Sequence, residues 1–127
     1  MAHFAKLNDS NKILEVTFIP NDDLGNTEYP DSEALGITKL INDTGYSNWK
    51  QTSQSSSFRG HFAQEGYSYD AINDTFIPIQ PFVSWVYNSS VKAWRAPTTY
   101  PQDSNVYIWN ETSYQADNTK GWVLLEV

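Results

Sequence analysis

Three short stretches decide how this chain reads: Tyr67-Ser68-Tyr69-Asp70, Trp85-Val86-Tyr87-Asn88 and Tyr107-Ile108-Trp109-Asn110. Each runs aromatic, any residue, aromatic, Asx. Residues two apart share one face of a β-strand, so each pair of rings lines one side of an extended segment. The Asx that follows starts a turn, because its side chain bonds the backbone two residues on. A further aromatic then returns: Phe76 after Tyr69, Trp94 after Tyr87 and Trp122 after Trp109. The spacing predicts three antiparallel hairpins, 67–78, 85–97 and 107–123. Their turns fall at Asp70–Thr75, Asn88–Lys92 and Asn110–Gly121, and the ring pairs sit opposite one another. Such cross-strand pairs contribute a few tenths to about 1 kcal/mol each. Prolines at 78, 81, 97 and 101 end the strands and keep the connections extended.

Upstream of the repeat, residues 4–7 and the β-branched and aromatic run from Ile13 to Ile19 flank the turn cluster Asn8-Asp9-Ser10-Asn11-Lys12. This is a hairpin signature, stopped by Pro20. Residues 21–27 read as a loop. One segment has helical spacing. Pro30-Asp31-Ser32-Glu33 offers an N-cap and first-turn acids, Ala34, Ile37, Leu40 and Ile41 form a stripe, and Gly45 lies past the end. A helix over 31–43 follows, with Gly36 costing it about 1 kcal/mol against alanine. Gln51 to Ser57 is polar and of low complexity, which predicts a loop, and no second helical pattern follows it.

The fold class expected is therefore α+β, mostly β: an N-terminal β-hairpin plus one helix, then repeated aromatic antiparallel β-hairpins. Residues 1–80 form an N-terminal α+β part that includes the first aromatic hairpin, and 81–127 a C-terminal hairpin module.

Composition narrows the function. The 127 residues carry 8 Lys and Arg against 15 Asp and Glu, a net charge of −7. An acidic surface repels phosphate, which argues against nucleic acid and anionic membranes as partners. No apolar run approaches the ~20 residues of a membrane span. The first residues lack the basic start and apolar stretch of a secretory leader, so the expectation is a chain that works where it is made, or leaves by lysis or assembly rather than by secretion. There is no cysteine, hence no disulfide framework, thiolate zinc site or cysteine nucleophile. His3 and His61 stand in no metal-binding motif. Asp70, Asp74 and Asp103 do not form a calcium loop and read as turn residues. The N-x-S/T sequons at Asn8, Asn42, Asn73, Asn88 and Asn110 fall at turns or at a helix end. With no nucleophile elbow, no phosphate-binding glycine loop and no distinctive carboxylate pair, no catalytic residue, metal or cofactor is expected.

The chain also resembles a family of small, largely uncharacterised virion-associated proteins of marine tailed phages, including cyanophages. The resemblance is carried by residues 1–7 (Met-Ala-His-Phe-Ala-Lys-Leu), Asn48 to Ser53, Phe58-Arg59, Gly66 to Asp70 and Phe76-Ile77-Pro78. Ser84-Trp85-Val86, Trp94 to Pro97, Tyr100-Pro101 and Tyr107 to Asn110 extend it to the C-terminal part. Gln64-Glu65 and the lengthened stretch Tyr114 to Lys120 depart from the pattern. The resemblance implies a non-enzymatic structural protein of the virion, made in the bacterial cytoplasm and docked on capsid, neck or tail. Its partners would be other virion proteins or further copies of itself.

With aromatics at 15% and charged residues at 18%, the rings exceed what a small core needs. Tyr and Trp are enriched at interfaces, where one end is apolar and the other stays wet. The candidate binding residues are Trp85, Tyr87, Trp94, Tyr107, Trp109 and Trp122. The alternative use of such rings is sugar stacking, in a carbohydrate-binding module of a tail fibre or host-adhesion apparatus. A flat solvent-facing row of rings would favour sugar, and rings buried against another chain would favour assembly.

Overall fold

The computed structural model describes residues 1–125. The chain divides into two compact units, one spanning Met1–Ile79 and the other beginning at Gln80. The architecture is a mostly-β α+β arrangement, with four separate sheets and one long helix among the described residues. No helix among the described residues is long and apolar enough to cross a membrane.

In the first unit, β1 (Ala2–Leu7) is the central strand of an antiparallel sheet of order β2-β1-β3, with β2 at Ile13–Ile19 and β3 at Trp49–Thr52. The turn is held by Asn8, whose Oδ1 accepts from the backbone N–H of Ser10 and of Lys12, each at 2.9 Å. Both faces of β1 are covered. Ala2 and Phe4 pack with Ile19, Leu24, Leu40 and Trp49 on the side of helix α1 (Asp31–Thr44). Ala5 and Leu7 point the other way and pack with Ile13, Ala63, Tyr69 and Phe76. The first aromatic hairpin, β4 (Ser68–Asp70) with β5 (Thr75–Ile77), thus seals the back of the N-terminal sheet.

Three expectations are corrected here. The polar stretch from Gln51 is not all loop: Gln51 and Thr52 lie in β3, and both are buried, as is Ser53. Their side chains are satisfied inside. Ser32 Oγ donates to Gln51 Oε1 at 2.8 Å, Ala63 N–H donates to Thr52 Oγ1 at 2.8 Å, and Ser57 N–H donates to Ser53 Oγ at 3.1 Å. Polar composition marks a loop only when the groups need water, and these do not. Second, the segment after β2 contains a 3-10 turn, Asn21–Leu24, which buries Leu24. Third, α1 has Pro30 at its N-cap and no side-chain cap. Its first-turn acid Glu33 instead accepts the backbone N–H of Gln51 at 2.8 Å, occupying the outer edge of β3.

The buried stripe of α1 is also rotated from the expected one. Ser32, Gly36 and Leu40 are buried and Ile37 is partly so, while Ala34 and Ile41 face solvent. Gly36 is the reason. A β-carbon there would lie 2.0 Å from Phe4 Cζ, so the helix approaches the sheet only where it has no side chain.

In the second unit, β6 (Val86–Asn88) pairs with β7 (Ala93–Arg95), and β8 (Tyr107–Trp109) pairs with β9 (Trp122–Leu124). All three aromatic hairpins have the expected register: Tyr69 faces Phe76, Tyr87 faces Trp94 and Trp109 faces Trp122. The three Asx residues act alike. Asp70 Oδ1 accepts from Ile72 N–H at 3.0 Å, Asn88 Oδ1 from Ser90 N–H at 2.9 Å, and Asn110 Oδ1 from Ser113 N–H at 2.9 Å. In the third hairpin that bond caps a second helix, α2 (Glu111–Ala116). The lengthened loop was not expected to be helical, because six residues are too few to show a helical period.

Gly121 closes this hairpin at φ +134, and a β-carbon on it would meet Trp109 Cη2 at 2.3 Å. Gly121→Ala is expected to lower the stability of the second unit by about 1–3 kcal/mol. Near-ultraviolet circular dichroism during thermal melting checks it; an unchanged Trp signal and midpoint would contradict the packing described.

Candidate functional site

Among the described residues, aromatic rings make up the interior of the second unit. Trp85, Trp109 and Trp122 meet edge to face, with centroids 5.8 Å apart for Trp85–Trp109, 6.0 Å for Trp85–Trp122 and 5.1 Å for Trp109–Trp122. Phe82, Tyr100 and Tyr114 close the cluster, each within 5.6 Å of one of these indoles. Edge-to-face contacts match ring edges to ring faces, so a small unit is held with little area. Polar handles fix the rings. Trp109 Nε1 donates to Glu111 Oε1 at 2.9 Å, an atom that also accepts from Ser84 Oγ at 2.6 Å. The Ser84 and Trp109 bonds hold the Glu111 carboxyl below its ordinary value. Trp122 Nε1 donates to the Thr98 carbonyl at 2.9 Å.

Of the six candidate binding residues, Trp85, Trp109 and Trp122 come together in this cluster. Tyr107 joins through Tyr100, at 5.6 Å, and Tyr87 pairs with Trp94 at 5.4 Å across β6 and β7. Trp109 is buried and the other five are half-buried, so there is no flat, solvent-facing row of rings.

The most exposed large side chains of this unit are aliphatic instead. Val83, Val86, Val106 and Ile108 are 76%, 67%, 57% and 51% exposed, and Ile108 is paired with the exposed Val123. These residues were missed in the sequence. The signal was present: the middle residue of each aromatic-x-aromatic unit is Val86 or Ile108 in the second unit, against Ser68 in the first. Charge is divided in the same way. The sequence from Gln80 on has three Lys and Arg against four Asp and Glu, whereas residues 1–79 have five against eleven.

A cleft of about 460 Å³ opens beside the ring cluster, lined by Trp85, Trp94, Pro97, Thr98, Tyr100 and Trp122 together with Arg95, Ala96, Thr99 and Gln102. Two of its lining residues carry a buried polar atom with no hydrogen-bond partner among the described residues, Trp85 Nε1 and Thr98 Oγ1. Leaving such a group unsatisfied costs about 1–3 kcal/mol.

The first unit holds a charged cluster of a different kind. The Arg59 side chain is only 6% exposed. It forms a bidentate pair with Glu33, donates through Nε to Asp74 Oδ1 at 2.8 Å and through Nη1 to the Gln51 carbonyl at 3.0 Å. Its guanidinium also lies over the rings of Tyr29 and Tyr69, at 5.4 and 5.9 Å. Helix, sheet and aromatic hairpin are thus tied through one side chain, which spends four of its five N–H donors on these partners. Asp74 is a partner in this tie rather than a plain turn residue, and Tyr69 donates its hydroxyl to it.

Burial pulls the Asp74 carboxyl up, but bonds from Tyr69 and Arg59 outweigh it and hold the group below its ordinary value. Burial first, then the bond to Asp74, push the Tyr69 phenol up to about 12. A lowered carboxylate stabilises the fold above its unfolded pKa and stops doing so as pH falls through the folded one. A raised phenol stabilises below its unfolded pKa and stops doing so as pH rises through the folded one. The first unit is therefore expected to weaken below about pH 4 and again above about pH 10. Hydrogen exchange of β1 and β4 amides across pH reads both limbs. Asp74→Asn should flatten the acid limb, and an unchanged limb would rule the tie out as its source.

Asp70 and Asp103 bond their own turns, and Asp103 also accepts the Tyr107 hydroxyl. His3 packs edge-on against Phe62, and burial lowers its pKa. Among the described residues no three His, Asp or Glu side chains converge as metal ligands would. The chain matches no protein-family model, and no curated protein or solved structure is significantly similar to it.

Proposed function

We propose that this protein is a non-enzymatic accessory structural protein of a tailed-phage virion, held on capsid, neck or tail proteins by its second unit. The observation that carries the reading is the exposed aliphatic side chains of that near-neutral unit, Val83, Val86, Val106, Ile108 and Val123 among them. A docking surface on this unit would bury these side chains, which is how a large exposed apolar area is used in interactions. The acidic first unit suits the complementary task of keeping the free chain soluble before assembly. The motif resemblance to virion-associated proteins points the same way.

Because Trp85 and Trp109 hold the unit together, truncating them would test folding rather than docking. The outward pair is the cleaner probe. Ile108→Ser with Val123→Ser should leave the circular dichroism intact and reduce incorporation into particles. A hot-spot pair is worth about 2 kcal/mol or more. Wild-type attachment should survive ~1 M salt, where charges are screened within ~3 Å. Normal incorporation of the folded double variant, or release of the wild type by salt, would overturn the reading.

A further inference from the structure

The three-stranded sheet of the first unit treats its two edges differently. Along a strand, the backbone groups of alternate residues point to opposite neighbours. Leu7 N–H donates to the Asn48 carbonyl at 3.0 Å, so His3, Ala5 and Leu7 bond toward β3, and Ala2, Phe4 and Lys6 toward β2. Ile19, Thr17 and Glu15 answer those three from β2, which leaves the N–H and C=O groups of Val16 and Phe18 pointing outward. The outer edge of β3 is occupied at Gln51, whose N–H bonds Glu33 and whose carbonyl accepts from Arg59. The outer edge of β2 is occupied at Ile13, whose N–H donates to the Tyr67 carbonyl at 2.8 Å and whose carbonyl accepts from Gly66 N–H at 2.9 Å. Among the described residues, no hydrogen bond reaches the outward groups of Val16 and Phe18.

This open stretch is bounded at both ends. Leu14 is bulged out of the ladder, since Lys6 faces Glu15 and Leu7 faces Ile13, and Pro20 at the other end has no N–H. Two donors and two acceptors remain, and an antiparallel second copy of the same stretch presents the same four. Set about Thr17, such a pairing puts Val16 opposite Phe18 of the second copy and Phe18 opposite its Val16. The side chains suit this register. Val16 and Phe18 share one face of the strand, Phe18 is 56% exposed, and a β-branched residue meets a ring in each pair. On the other face Thr17 meets Thr17, a pair that can bond through its hydroxyls. Centring on Phe18 instead sets Val16 against Pro20, and centring on Val16 sets Phe18 against the bulged Leu14. Charge agrees as well: antiparallel pairing carries the exposed Asp22 and Asp23 that follow one strand toward the exposed Lys12 that precedes the other.

We propose that β2 of one copy pairs antiparallel with β2 of a second copy about Thr17, joining two three-stranded sheets into one of order β3-β1-β2-β2-β1-β3. The contact is isologous, so it closes as a two-fold dimer, with the β3 edges, covered at Gln51, left outermost. Strand addition of this kind draws its strength from main-chain bonds and its register from the side chains. Only the first unit takes part, so the pairing is independent of what the second unit docks on and of any virion.

The test uses the full chain. Sedimentation velocity from micromolar to several hundred micromolar should show a rise from monomer to dimer that stops there. Over the same range, amide hydrogen exchange at Val16 and Phe18 should slow while that of the second unit does not. The chain has no cysteine, so Thr17→Cys introduces its only thiol. On the two-fold axis the Cα atoms of this non-hydrogen-bonded pair lie about 4.5 Å apart, within reach of a disulfide. In Glu15→Cys the two thiols sit four residues apart along the strands, roughly 13 Å, and out of reach. Mild oxidation should therefore link Thr17→Cys chains at least about tenfold faster than Glu15→Cys chains. Phe18→Lys places a charge on the edge and removes the ring facing Val16, and should raise the dimer dissociation constant at least about tenfold with the circular dichroism intact. If that variant fails to fold, the two cysteine variants and exchange in the wild type decide between the outcomes. A chain that stays monomeric with unchanged exchange at Val16 and Phe18 overturns the proposal. So does a dimer that survives Phe18→Lys, assembly that continues past the dimer, or Glu15→Cys linking as fast as Thr17→Cys. A chain that dimerises as described yet is not incorporated into particles leaves this pairing standing and removes the virion reading instead.

Discussion

Arg59→Met is expected to lower the stability of the first unit by about 3–5 kcal/mol, the usual cost of removing one partner from a buried ion pair. The replacement is of similar length and apolar, so the loss is not one of volume. What is left behind is the difficulty. Glu33 keeps one bond, from the Gln51 N–H, but loses both guanidinium contacts while largely buried. Asp74 keeps the Tyr69 hydroxyl and loses its cation, and the Gln51 carbonyl loses a donor. Arg59→Lys keeps the charge without the planar fork that spans two carboxylates, and an intermediate loss is expected. Denaturant dependence of hydrogen exchange in β1 and β3 isolates this unit from the other. A loss of under ~1 kcal/mol for Arg59→Met would mean that the cluster behaves like an ordinary surface ion pair.

Phe4→Ala carries the second large effect, again about 3–5 kcal/mol, because the ring is fully buried at the centre of the helix-facing core and leaves a cavity. The more informative experiment pairs it with Gly36. Alanine is the better helix former by about 1 kcal/mol, so propensity alone predicts that Gly36→Ala stabilises α1. The structure predicts the opposite sign. The added methyl would enter the Phe4 ring, and overpacking of this kind costs about 1–3 kcal/mol. With Phe4→Leu in place, the same Gly36→Ala change should cost clearly less, since the two sites share one contact. Additive costs in that cycle, or a Gly36→Ala variant more stable than wild type, would show that helix and sheet do not meet at this point.

Part of the fold was legible because its signals are local. The aromatic-x-aromatic-Asx units predicted three hairpins in the right register, since a two-residue period and an Asx turn depend on neighbours only. The first hairpin and α1 came from equally local rules. Strand β3 was hidden by its composition: Gln51 and Thr52 look like loop residues until Ser32 and Ala63 arrive from distant parts of the chain to bond them. The exposed aliphatic residues of the second unit were within reach, because Val86 and Ile108 stand between the two rings of their motifs, on the opposite side of the strand. Attention to the rings concealed them.

What the sequence by itself determined, then, is which segments pair with their neighbours, where the chain turns, and how acidic it is. Which face of α1 is buried was decided only by the tertiary structure, because the choice depends on a glycine and a phenylalanine 32 residues apart coming into contact. The role of Arg59 was decided there too, since its carboxylate partners lie 26 residues before it and 15 after it. That Trp85, Trp109 and Trp122 meet edge to face was decided there for the same reason. Periodicity says which side chains share a face, and only the meeting of separate strands says what that face is pressed against.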